Sequence, residues 1–339
     1  MPAPLKNRAI MVLGMHRSGT SAFTGVLSLL GVELGSRLLP ASESNPSGHW
    51  EHEEVVCVHD SLLAALGSKW DDPKPLPAGW MDSEPAAAHR RQLLDILVRD
   101  FAASPLWALK DPRLCKFLPL WISLLEEMEC ETVWVLLARH PSETIRSLET
   151  REGFSREKSE LLWLRYTLDA ERETAQRNRV VITFDQLLAD WEKTLRRVQQ
   201  AAAIAWPVSP DRARIGKFLD PGQRHHRAQE AGDLSPWTRD AYAGLAAGAL
   251  GDEPRMRLLL DQTHAAFDAA DALYWPFFEA RLAEANAKTA AAREKYRLSK
   301  EKLATKSTEL KARRDQLRQL EHSPGGKLTR FLNRFKGKP

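Results

Sequence analysis

Four short apolar runs punctuate the first half of the chain: Ala9 to Leu13, Leu106 to Leu109, Thr132 to Ala138 and Val180 to Phe184. Runs of this length belong to strands buried on both faces. Each is followed by apolar residues at helical spacing, the first by Ser21 to Leu30, which stops at Gly31. Strands alternating with helices imply right-handed crossovers and a parallel sheet covered on both sides, an α/β fold of three layers. Residues 35–85 depart from the pattern, being rich in Pro, Gly, Ser and Trp, with one helical stretch near Glu53 to Leu66. Long excursions of this kind in compact domains are usually functional.

From Ser235 onward every pattern is helical. In the last segment, about Pro276 to Leu320, the positions Trp275, Leu282, Thr289, Tyr296, Leu303, Leu310 and Leu317 recur every seven residues. Companion positions such as Ser299, Lys306 and Arg313 are polar, so a weak coiled-coil seam, through which the chain would self-associate, and a solvated single helix are both open. After Pro324-Gly325-Gly326, Leu328, Phe331, Leu332 and Phe335 share one face of a short stretch charged by Lys327, Arg330, Arg334 and Lys336. Such a tail fits an anionic membrane surface or a partner protein. The expected organisation is a domain over 1–275, a long charged helix over 276–322 and a basic amphipathic tail over 323–339.

Composition narrows the class. At 339 residues, with 43% apolar and 28% charged, the chain reads as one large α/β domain with an appendage. The net charge of +4 is unevenly spread: residues 280–339 hold 17 Lys/Arg against 6 Asp/Glu, or +11, leaving 32 against 39, or −7, for residues 1–279. The body therefore carries no footprint of nucleic-acid binding. Cys57, Cys115 and Cys130 are far apart and in no CxxC arrangement, as for reduced thiols. With no apolar run of membrane-spanning length and no leader-like start, a cytoplasmic protein is expected.

The candidate chemistry begins at Gly14-Met15-His16-Arg17-Ser18-Gly19-Thr20-Ser21. This has the Gly-x4-Gly spacing of a P-loop and stands after a buried strand at a helix start, where successive N–H groups point at an anion. A nucleoside-triphosphate loop has Lys after the second Gly. Here Thr20 takes that place and the cation is upstream, at Arg17. A second candidate anchor is Arg139, at the end of the third apolar run, with Pro141 to open a helix and Ser147 eight residues on. Arginine's planar fork holds phosphate bidentately.

These pieces resemble the sulfotransferase family, whose loop has the form Gly-x-x-[Arg/Lys]-Ser-Gly-Thr-[Ser/Thr]. The resemblance extends to Asn45-Pro46-Ser47-Gly48-His49-Trp50-Glu51, to Leu109-Lys110-Asp111-Pro112-Arg113, and to Val180 through Leu188, with Phe184 where Tyr is usual. It implies a bacterial-type enzyme that uses 3'-phosphoadenosine-5'-phosphosulfate (PAPS) as co-substrate, without a metal. Arg17 would bridge the 5'-phosphate and the departing sulfuryl oxygens, Gly14, Ser18, Gly19, Thr20 and Ser21 would complete the cradle, and Arg139 with Ser147 would hold the 3'-phosphate. The Arg-Lys-Gly-x-x-Gly-Asp-Trp-Lys lid of cytosolic members is absent; Lys217, Arg224 and Arg227 are candidates to replace its cations. The acceptor implied is a hydroxyl on a glycan or glycolipid.

Sulfuryl transfer needs a base for the acceptor hydroxyl and fixed charge for the leaving oxygen. Glu51 is the expected base, with His59 and His52 in reserve. Lys110 and Arg113, just past a strand, are expected to stabilise the leaving oxygen or hold the acceptor. An Asp111–Arg113 contact is the structural alternative, and His225-His226 read as structural. Two rival functions stand beside the transferase: a P-loop kinase in which Ser21 and Asp185 hold magnesium, and a non-catalytic nucleotide-binding scaffold acting through its carboxy-terminal helix.

Overall fold

The computed structural model describes residues 7–42, 48–219, 234–322, 325–328 and 332. Asn45, Pro46 and Ser47, the pair His225-His226, Arg224 and Arg227, and Pro324 with most of the tail lie outside the described residues. The chain divides into two units, residues 1–269 and 270–339.

In the first unit the strands are β1 (Arg8–Leu13), β2 (Leu106–Lys110), β3 (Glu131–Ala138) and β4 (Arg179–Thr183), all parallel, in the order β2-β1-β3-β4. Helix α1 (Thr20–Leu29) follows β1; α2 (Glu53–Ala65) and α3 (Glu84–Phe101) lead to β2; α4 (Leu118–Glu127) leads to β3. Helices α5 (Pro141–Glu152) and α6 (Arg156–Thr174) join β3 to β4, after which come α7 (Phe184–Ala189), α8 (Trp191–Ala202), α9 (Arg212–Phe218), α10 (Pro236–Ala249) and α11 (Glu253–His322).

The three layers follow from side-chain alternation along the central strand. Ala9, Met11 and Leu13 enter one core with α2, α3, α4, α6 and α10, while Ile10 and Val12 enter a second core with α1, α8 and α9. From β1 the chain moves to β2 on one side, then crosses to β3 and continues to β4 on the other. The crevice of an open parallel sheet lies where this direction reverses, here at the carboxyl ends of β1 and β3.

The fourth strand stops one residue before the apolar run does. Thr183 and Gln186 form a reciprocal capping box, so Phe184 opens α7 instead of closing β4. Helix α11 begins at Glu253, where Asp252 accepts from the Arg255 N–H at 3.2 Å, and continues through Pro276. Met256, Leu260 and Phe267 from its first part belong to the core of the first unit. In the second unit Leu282, Leu303, Leu310 and Leu317 are exposed. No helix among the described residues is long and apolar enough to cross a membrane.

Candidate functional site

The loop between β1 and α1 is shaped by backbone that side chains rarely adopt. Gly14, Arg17 and Gly19 all have positive φ, of 150°, 70° and 91°. A Cβ at Gly14 would meet the Leu137 carbonyl oxygen of β3 at 2.5 Å, and one at Gly19 would meet the Phe184 ring at 2.3 Å. The ring can shift and the strand carbonyl cannot. Gly14→Ala is therefore expected to displace the loop and lower affinity for any bound phosphate about tenfold or more, read by calorimetry, with the sheet intact by circular dichroism.

Helix α1 starts without a side-chain cap, its N-cap being Gly19. Helix α5, which begins beside Arg139, is likewise uncapped, as is α4. By contrast α2, α3, α6, α7, α8, α9 and α10 each receive a side-chain bond at this end. Uncapped first turns keep N–H donors for an anion; in α5, where Pro141 has no N–H and the Glu143 N–H bonds the His140 carbonyl at 3.0 Å, the donor left is that of Ser142. Two of them, α1 and α5, follow the strands that frame the crevice.

The structure brings the two anchors together. Arg17 Nε donates to Ser147 Oγ at 2.9 Å, across 130 residues of sequence, and Arg139 Nη1 donates to the Arg17 carbonyl at 3.3 Å. Arg139 also pairs with Glu143 one turn along α5, at 2.6 Å, and its guanidinium lies 4.9 Å from the Phe184 ring. Burial, then the charges of Arg151 and Arg139, hold the Arg17 pKa below its ordinary value. Three arginines at one place repel one another, and a polyanion relieves that repulsion. Arg151 carried no motif; its signal is helical, four residues beyond Ser147 on α5.

Beside the loop, Lys110 is 3% exposed and spends its three protons inside the chain. Nζ donates to Ser21 Oγ at 3.1 Å, to the His49 carbonyl at 3.2 Å and to Glu51 Oε1 at 2.5 Å. It thus ties the end of β2 to the first turn of α1 and to residues 49–51. Glu51 is 6% exposed, and its other oxygen lies 3.9 Å from Arg113 Nη1. Its lone pairs face cations, as those of a structural carboxylate do. Arg113 is engaged as well, by Asp60 at 2.6 Å and Asp111 at 2.9 Å. The Asp111–Arg113 contact read as the structural alternative is present.

The reserve histidines have both nitrogens occupied. His59 Nε2 accepts from Trp121 Nε1 at 2.8 Å, which places its ring proton on Nδ1, bonded to Asp111 at 2.7 Å. His52 caps α2 through Nδ1 and meets Asp100 through Nε2 at 2.7 Å. Trp121→Phe leaves the buried His59 nitrogen without a donor and is expected to destabilise the fold by about 1–3 kcal/mol in urea denaturation.

The excursion is pinned beside the loop by α6 and the turn after β2. Tyr166 Oη donates to the Trp70 carbonyl at 2.6 Å, Lys116 Nζ to the Asp72 carbonyl at 2.7 Å and Arg165 Nε to the Pro73 carbonyl at 3.0 Å, while Lys158 pairs with the Asp71 carboxylate. Trp70 and Tyr166 pack on His16 of the loop, at ring separations of 4.6 and 5.9 Å.

No family model matches this sequence, and no curated protein does. Among solved structures, the chain is similar to a sulfotransferase domain from the Synechococcus PCC 7002 olefin synthase, with 16% identity over 77% of this chain and 97% of that one and a TM-score of 0.36. It is also similar to a sulfotransferase domain from the curacin biosynthetic pathway, with 16% identity over 66% of this chain and 79% of that one and a TM-score of 0.34.

Proposed function

We propose that this protein is a sulfotransferase that moves the sulfuryl group of PAPS to an acceptor hydroxyl, with a glycan or glycolipid as the acceptor class. The observation that carries the reading is the Arg17–Ser147 bond, with Arg139 on the Arg17 carbonyl, at the crevice between β1 and β3. A donor with phosphate at both its 5' and 3' positions needs two anion sites one ribose apart. The uncapped starts of α1 and α5, each with an arginine, supply two. Arg17 and the first turn of α1 would hold the 5' end, and Arg139 with Ser147 the 3'-phosphate. Lys110 holds Ser21 in place.

Ser21 also bears on the kinase reading, since Lys110 Nζ already occupies the hydroxyl that reading gives to magnesium. Titration calorimetry with 3'-phosphoadenosine-5'-phosphate (PAP), set against ATP with magnesium, separates the two. PAP is expected to bind at least about tenfold tighter, in line with one extra charged contact; tighter ATP binding overturns the proposal. The acceptor would be identified by transfer of labelled sulfate from PAPS into a cell-envelope extract. Within the same proposal, the protein works in the cytoplasm with its basic tail at the inner membrane face.

A further inference from the structure

One histidine of the site is left without a structural task. His16 sits in the phosphate loop itself, between Gly14 and Arg17, and its Nε2 is fully buried with no hydrogen-bond partner. Nε2 is the enclosed nitrogen. Buried polar atoms of native proteins are nearly always satisfied, so an orphan in an anion-binding loop asks for a reason. The other histidines nearby have theirs: His52 and His59 are bonded at both nitrogens, and His49 meets Ser42 at 2.9 Å. Glu51 is bound to Lys110.

We propose that His16 is the proton acceptor for the incoming hydroxyl, through Nδ1, with the ring proton kept on Nε2. This rests on the sulfotransferase reading. In the step, Nδ1 takes the hydroxyl proton as the hydroxyl oxygen bonds to sulfur. The bond from sulfur to the bridging oxygen breaks, its electron pair leaves on the 5'-phosphate of PAP, and the proton stays on the imidazole until water removes it.

The surroundings fit a neutral imidazole that gains proton affinity when the donor binds. Trp70 from the excursion and Tyr166 from α6 pack on the ring, and the charges that act on it are those of Lys110, Asp111 and Arg113, from β2 and the turn after it, and of Arg151 from α5. Burial first, then Arg113, hold the pKa of His16 well below the usual histidine value; Lys110 and Arg151 act in the same direction and Asp111 against it. The basic form is therefore present above that lowered value. A bound polyanion opposes the cations and moves the value upward. The imidazole packs on the Trp70 and Tyr166 rings, and an N–H against an aromatic ring is a weak but recurrent setting.

Imidazole nitrogen NMR of the full chain, with and without PAP, tests this directly. The expected result is a neutral ring protonated at Nε2, whose pKa rises by about one unit or more when PAP binds. In parallel, sulfate release from labelled PAPS is followed against pH for the wild type, His16→Asn and His16→Ala. The variants are expected to lose about 10²–10⁴-fold in rate and the fall toward low pH, while binding PAP within a few fold of wild type. A His16 pKa unmoved by PAP, or variants that keep the wild-type rate and pH profile, overturn the inference alone. A wild type that does not bind PAP overturns the sulfotransferase reading and this inference with it.

Discussion

Replacing Arg17 by Ala is expected to lower sulfuryl transfer by about 10²–10³-fold, the loss usual for a fixed donor aimed at developing charge. PAP binding should weaken by less, about ten- to a hundredfold, as for one charge-assisted hydrogen bond. The split arises because Arg17 alone would contact both the 5'-phosphate, present throughout, and the sulfuryl oxygens, which bear changing charge in transit. Folding should not suffer. Arg17 is half-buried near Arg139 and Arg151, which already disfavour its charge, and its backbone is left-handed at a φ of 70°. Arg17→Gly should therefore melt at or above the wild-type temperature while losing as much activity. Rates from labelled PAPS, PAP affinity by calorimetry and thermal melts are the measurements. Arg17→Ala at wild-type rate and affinity would remove the loop from the chemistry.

The second large effect is on stability and belongs to Lys110. In Lys110→Met the Glu51 carboxylate stays buried without its partner, while Ser21 Oγ and the His49 carbonyl each lose a donor. Breaking a buried pair from one side costs about 3–5 kcal/mol, much more than removing both charges. Lys110→Met should accordingly unfold at much lower urea, and Lys110→Met with Glu51→Gln should recover most of the loss. A single variant within about 1 kcal/mol of wild type would mean that solvent reaches the pair. No such recovery is expected when Glu51→Gln is combined with Arg113→Lys, because Arg113 stands 3.9 Å from Glu51 and is held by Asp60 and Asp111.

What the sequence made legible is what depends on neighbours in the chain. The buried run into β1, the glycine spacing of the loop and the step from Arg139 to Ser147 are local, and the structure has each of them. The capping box Thr183-x-x-Gln186 was equally local and sets the true end of β4. The allocation of hydrogen bonds was not legible. That Lys110 spends every proton on Ser21, His49 and Glu51 depends on contacts spanning 59 to 89 residues of sequence. The same holds for His59, whose ring becomes a strut only because Trp121 and Asp111 reach it from other elements. A residue type marks what a side chain can do; the fold decides what is left for it to do.

The exposed leucines of the second unit carry a consequence for ionic strength. If two such helices paired in parallel along Leu282, Leu303, Leu310 and Leu317, the flanking rows would set Lys288 against Arg293 and Lys295 against Lys300, with Glu309 against Arg314 as a compensating contact. Added salt weakens repulsion between exposed like charges. A dimer built on that seam would thus tighten as salt is added, and a complex with an acidic helix would loosen.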